Sequence, residues 1–155
     1  MLFISILVVG VSARSQVPER HLRFTDSIEN LVNQSLKKYV VKKDTGRTVI
    51  TGSKSQTTIF KKEFYSDPKN HTLHLVAYLR RSDNGMLINE TYYYLQNKPI
   101  SAYRLKQIKR KIIPEEAYYF YQGQTYRHND STILKPGNEI KKKAESFLAE
   151  FRKLK

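Results

Sequence analysis

Residues 90–105 read ETYYYLQNKPISAYRL, and residues 116–128 read EAYYFYQGQTYRH. Aligned without gaps, Glu90 falls on Glu116, Tyr92 on Tyr118, Tyr93 on Tyr119, Tyr94 on Phe120 and Gln96 on Gln122. Asn97 falls on Gly123, and Asn and Gly best tolerate the left-handed backbone of a tight turn. The repeated unit is therefore a hairpin: aromatic strand, two-residue turn, second strand. Side chains alternate along a strand. Tyr92 and Tyr94 share one face while Tyr93 takes the other, and Tyr118 and Phe120 divide from Tyr119 in the same way. Two copies are too few for a solenoid.

The strand pattern extends upstream. Arg47–Thr51 is short and β-branched, and Gly52-Ser53 turns it into Gln56–Tyr65. The cluster SDPKN at 66–70 is a turn around Pro68. Thr72–Arg80 alternates, with Leu73, Leu75, Ala77 and Leu79 on one face and His74, Val76 and Tyr78 on the other. Asn84-Gly85 predicts a hairpin into Met86–Leu95, followed by Lys98–Leu105. Lys106–Ile113 fits either a strand extension or a short helix, ended by Pro114. Ala117–Tyr121 and Gln124–His128 complete the set, and DTG at 44–46 reads as a break.

Helical periodicity flanks the strands. Phe24, Ile28, Leu31, Val32, Leu36 and Tyr39 recur at three- and four-residue steps over Phe24–Tyr39, with Thr25 or Asp26 as N-cap. Near the C-terminus, Ile140, Ala144, Phe147, Leu148, Phe151 and Leu154 form a second stripe. Lys141–Lys143 oppose the dipole at the start of that helix. The expected fold is α+β: an antiparallel meander of about six strands with both helices packed on one face.

The hairpins YYYLQNKPI and YYFYQGQTY resemble those of small exported proteins of Bacteroidota that repeat a YYF-x-x-G-K hairpin behind a signal peptide. The resemblance covers roughly residues 90–128, with Pro99 and Thr125 departing from the pattern. It implies export and an antiparallel sheet, and carries over no catalytic residue.

The N-terminus agrees with export. Leu2 to Val11 is an apolar run of h-region length, too short to span a bilayer. Val11-Ser12-Ala13 predicts cleavage after Ala13, with a cut after Ser15 as the other option. Residues 1–13 then form a signal peptide, and 14–155 a single domain that is secreted or periplasmic. A buried first strand is the alternative for the run.

Lys and Arg number 28 against 14 Asp and Glu, a formal net charge of +14. That balance favours anionic partners. The chain has no Cys, which excludes disulfides, thiolate metal sites and Cys nucleophiles. No phosphate-binding glycine loop, dinucleotide fingerprint or nucleophile elbow occurs. His71 and His74 would point to opposite faces of a strand and cannot share a metal there. His128, Asp130 and Ser131 have hydrolase residue types, but sequence neighbours rarely meet in triad geometry. Glu115 and Glu116 diverge as strand neighbours. No cofactor is implied.

Two roles remain for the tyrosines on the face away from the helices. Cross-strand aromatic pairs stabilise sheets by themselves. Alternatively, Tyr93, Tyr103 and Tyr119, with Lys106, form an aromatic platform for an anionic, glycan or peptide ligand. The expected function is an exported, non-enzymatic binding or scaffolding domain of the cell envelope. If the chain is not exported, KQIKRK at 106–111 beside Tyr103 suggests single-stranded nucleic acid. A small hydrolase is the third alternative, requiring His128, Asp130 and Glu116 to converge.

Overall fold

The computed structural model describes residues 17–50, 56–128 and 132–154. The signal-peptide reading of residues 1–13, the Gly52-Ser53 turn, and Asp130 and Ser131 lie outside these. The order is α1 (Glu19–Gln34), a short 3-10 turn (Leu36–Lys38), β1 (Val40–Ile50), β2 (Gln56–Ser66), β3 (Leu73–Ser82), β4 (Met86–Leu95), β5 (Lys98–Ile108), β6 (Lys111–Tyr121), β7 (Gln124–Arg127), β8 (Thr132–Leu134) and α2 (Glu139–Lys153). The strands form one antiparallel meander in sequence order. The α+β class and flanking helices are as expected, but among the described residues the sheet has eight strands rather than about six.

The extra strand length comes from segments whose punctuation misleads. Asp44-Thr45-Gly46 is no break, and β1 runs straight through it. A side chain at Gly46 would collide with the Phe60 ring on β2, so this glycine marks a close approach within the sheet. Lys106–Ile113 is neither an uninterrupted strand nor a helix. β5 ends at Ile108, and Lys109 and Arg110, both at positive φ (47° and 69°), turn the chain into β6. Pro114 lies inside β6. Arg104 pairs with Glu116 but Lys106 with Ile113, which leaves Pro114 and Glu115 opposite Leu105 alone. A proline cannot donate to the ladder, and a bulge accommodates it. Pro99 sits beside a second bulge: Tyr93 pairs with Ser101 and Tyr94 with Pro99, which leaves Ile100 as the extra residue.

The repeated hairpins share one turn. Gln96-Asn97 (φ 51° and 59°) and Gln122-Gly123 (48° and 77°) both have two residues at positive φ, the geometry that matches the twist of paired strands. At 83–85 only Gly85 has positive φ.

The helices occupy opposite faces of the sheet, not one face. α2 packs Ile140, Ala144, Phe147 and Phe151 on Phe64, Val76, Tyr92, Tyr94 and Tyr118. α1 packs Val32, with Ile28 alongside, on Leu75, Tyr93 and Ile100. The division of the tyrosines by parity is thus a division between two cores. A bulge at His74, where Tyr65 pairs with Leu75 but Ser66 with Leu73, moves Leu73 into the α2 core, away from Leu75.

α1 begins five residues earlier than its apolar spacing predicts and ends at Gln34. Pro18 precedes it and makes no side-chain cap. Thr25, Glu29 and Val32 are the residues buried on the sheet, while Phe24 and Leu31 are exposed. α2 follows its predicted stripe, except that Leu154 is exposed. Asn138 caps it by accepting the Lys141 N–H at 3.0 Å. Two of the three lysines at its start have partners: Lys141 donates to the Gly123 carbonyl at 2.7 Å, and Lys143 to Glu90 at 2.9 Å.

Candidate functional site

The sheet does not present an open tyrosine platform. Tyr93 and Tyr119 are 7% and 6% exposed. Tyr103 is half-buried and meets Tyr93 edge to face, with ring centroids 6.0 Å apart. The Tyr93 hydroxyl donates to Asn33 of α1 at 3.0 Å. Tyr119 sits edge-on to His128 and borders a hollow of about 240 Å³ under the start of α1, shared with Glu19, Leu22, Tyr126 and Arg127. Lys106 does not join these tyrosines. It pairs across β4 with Ile88, on the α2 face, and bridges to Glu116 at 3.3 Å.

The centre of the α1 face is a buried carboxylate. Glu29 accepts hydrogen bonds from the Ser101 hydroxyl and, at 2.7 Å, from the Tyr103 hydroxyl. Burial nonetheless raises its pKa above the usual carboxylate range: the two hydrogen bonds do not reverse the desolvation, and the neighbouring Asp26 adds to it. Burial also raises Tyr93, Tyr103 and Tyr119. A carboxyl with a raised folded pKa binds its proton more tightly in the fold than in the unfolded chain. Its stabilising contribution is present below the unfolded pKa and is lost as pH rises through the folded one. We expect the stability gap between wild type and Glu29→Gln to move against wild type as pH rises from about 4 to about 7. Urea midpoints at several pH values measure it. A gap independent of pH would show that Glu29 is solvated.

On the opposite face, Glu90 is 1% exposed. It accepts from Arg104 Nε at 2.5 Å, Lys143 Nζ at 2.9 Å and the Tyr92 hydroxyl at 3.2 Å. Arg104 reaches on to Glu139 at 2.8 Å. Glu116 accepts from Tyr118 at 2.9 Å on this same face, as its pairing with Arg104 requires. His128 lies against Tyr119 on the other face, so Glu116 and His128 do not converge. His71 lies outside the strands at φ 56°, and His74 stacks on Tyr39. Among the described residues no group of three or more His, Asp or Glu is placed to hold a metal.

The part of the sheet far from α1 is different. One row across six strands reads Arg47, Ile59, Arg81, Leu87, Gln107, Ile112 by direct pairing. This row lies six residues along the strands from Tyr65, Leu75 and Tyr93, which puts it about 20 Å from the row under α1. A helix is only about 10–12 Å across, so α1 leaves it uncovered. Ile59 is 58% and Ile112 65% exposed. At the row's centre the β3–β4 and β5–β6 turns enclose a cleft of about 390 Å³ lined by Arg81, Gly85, Leu87, Gln107, Lys109 and Arg110. Among the described residues none of Arg81, Lys109 and Arg110 has a carboxylate partner. Asp83, in the adjacent turn, accepts from the Thr57 N–H at 2.8 Å. Three cations that line one cleft and are not ion-paired can hold an anion, and the two guanidinium groups can grip its oxygens in pairs.

No family model, curated protein or solved structure matches this chain.

The basic run at 106–111 was visible in the sequence, but its partition was not. Lys106 joins the α2 face, while Lys109 and Arg110 form the turn. Arg81 carries no local signal. It joins them because consecutive hairpins place alternate turns at the same end of a meander.

Proposed function

We propose that this protein is an exported, non-enzymatic binding module of the cell envelope that holds an anionic partner at the open end of its sheet. The observation that carries the reading is the cleft lined by Arg81, Lys109 and Arg110, none of which has a carboxylate partner among the described residues. The net charge of +14 supplies long-range attraction. The apolar run Leu2–Val11 and the resemblance of the hairpins to exported Bacteroidota proteins support export. The tyrosines serve the two cores, so the ligand surface moves from Tyr93, Tyr103, Tyr119 and Lys106 to the hairpin tips.

Retention on a sulfated-polymer column tests the site. Arg81→Glu with Arg110→Glu should elute at markedly lower salt than Lys37→Glu with Lys153→Glu, which changes net charge equally. Equal elution would reduce the effect to bulk charge and remove the cleft from the reading. Mass spectrometry of the protein from the producing cell tests export. An N-terminus at Arg14 is expected, and an intact Met1 would overturn it.

A further inference from the structure

We infer that the anionic partner is a phospholipid surface, with a headgroup phosphate in the Arg81–Lys109–Arg110 cleft and the neighbouring aliphatic side chains at the acyl boundary. This rests on the reading of the cleft as an anion site and specifies its ligand.

Three observations select lipid over other anions. First, cations and aliphatics alternate at this end. Arg47, Ile59, Arg81 and Leu87 are direct cross-strand neighbours. Ile112 pairs with Gln107, and Ile108, 42% exposed, adjoins Lys109 at the turn. Val49, 50% exposed, lies two residues beyond Arg47 on β1. Exposed branched aliphatics gain nothing from a soluble polyanion but are buried at a membrane interface, where apolar area and basic charge add. Second, among the described residues no aromatic side chain lines the cleft. Nucleobases are held by stacking on aromatics, whereas the cations lining this cleft, with Gln107 beside them, suit an oxyanion. Third, the features lie at strand ends and turns. The sheet can therefore meet a plane end-on, with α1 and α2 held away from it. Among the described residues no helix is long and apolar enough to cross a membrane.

The test is co-sedimentation of the full chain with vesicles of phosphatidylcholine alone or mixed with phosphatidylglycerol. Binding to the mixed vesicles and not to the neutral ones is expected, falling as salt is raised. Each cation near an anionic membrane is worth about 1 kcal/mol, so Arg81→Gln with Lys109→Gln and Arg110→Gln should weaken binding about a hundredfold. Ile59→Ser with Ile112→Ser should weaken it about tenfold while leaving retention on the sulfated column unchanged. All five residues are at the surface, and thermal unfolding checks that the variants stay folded. Glycerol 3-phosphate, the soluble headgroup fragment, should compete only weakly. If the isoleucine pair leaves vesicle binding unchanged while the cationic triple abolishes it, the site reads an oxyanion without a membrane and the lipid inference falls. Binding to the sulfated column with none to vesicles overturns the inference and leaves the proposed function standing. Loss of neither activity in the cationic triple overturns both. Vesicle binding indifferent to both sets of substitutions would assign it to another part of the chain, such as the apolar run Leu2–Val11.

Discussion

Replacing Glu90 with alanine should cost about 3–5 kcal/mol of stability, because it strands two cations in a buried site. Glu90 is 1% exposed and receives Arg104 at 2.5 Å and Lys143 at 2.9 Å. Burial disfavours the charged guanidinium of Arg104, but Glu90 and Glu139 more than offset it and hold its pKa above the usual value. Removing Glu90 leaves that burial penalty with only the exposed Glu139 to oppose it. The attraction and the desolvation nearly cancel when all partners are present. Replacing Glu90, Arg104 and Lys143 together by methionine should therefore recover most of the loss. The urea midpoint reads the stability, and hydrogen exchange of α2 locates it: Glu139 and Lys143 tie the start of that helix to the sheet, so its first turns should lose protection first. A Glu90→Ala protein within about 0.5 kcal/mol of wild type would show that water reaches the network.

Where a segment's physics is local and single-purpose, its sequence was readable. The hairpin turns at Gln96-Asn97 and Gln122-Gly123 needed only the residues that tolerate positive φ. α2 buries the apolar stripe that periodicity marks. α1 was misplaced because two of the residues it buries, Thr25 and Glu29, are polar. The partners of Glu29, Ser101 and Tyr103, are far away in the chain, and Phe24 and Leu31 mimic a core face while standing in solvent. Gly46 looked like punctuation because its reason, the Phe60 ring, is on another strand. The helix placement carried a clue that was available: strands such as β4 are apolar and aromatic on both faces, as a sheet covered on both sides requires. With two amphipathic helices and two apolar faces, one helix per face satisfies all the patterns. The cationic cleft had no such clue, since Arg81 and Lys109 meet only through the register of the meander.

Changing Tyr93 and Tyr119 together to alanine should unfold the protein. Deleting a buried aromatic costs about 3–5 kcal/mol. The two sit on either side of Ser101 in one row, and Tyr103 contacts both, so part of the loss is shared between them. Tyr93 also loses its bond to Asn33 and its edge contact with Tyr103, and Tyr119 loses its contact with His128. The sum, about 6 kcal/mol or more, reaches the 5–15 kcal/mol of a typical domain. Had the α1 face been open, the same pair of changes would have spared the fold and removed only a ligand surface. The phenylalanine pair separates the two cases. It keeps the rings and drops the hydroxyls, at about 1 kcal/mol each. It should therefore remain folded and, with the cationic cleft about 20 Å away, keep its retention on the sulfated column. A cooperative unfolding transition near the wild-type midpoint in the double alanine protein would mean that α1 does not lie on these rings, and would return them to the surface as candidates for binding.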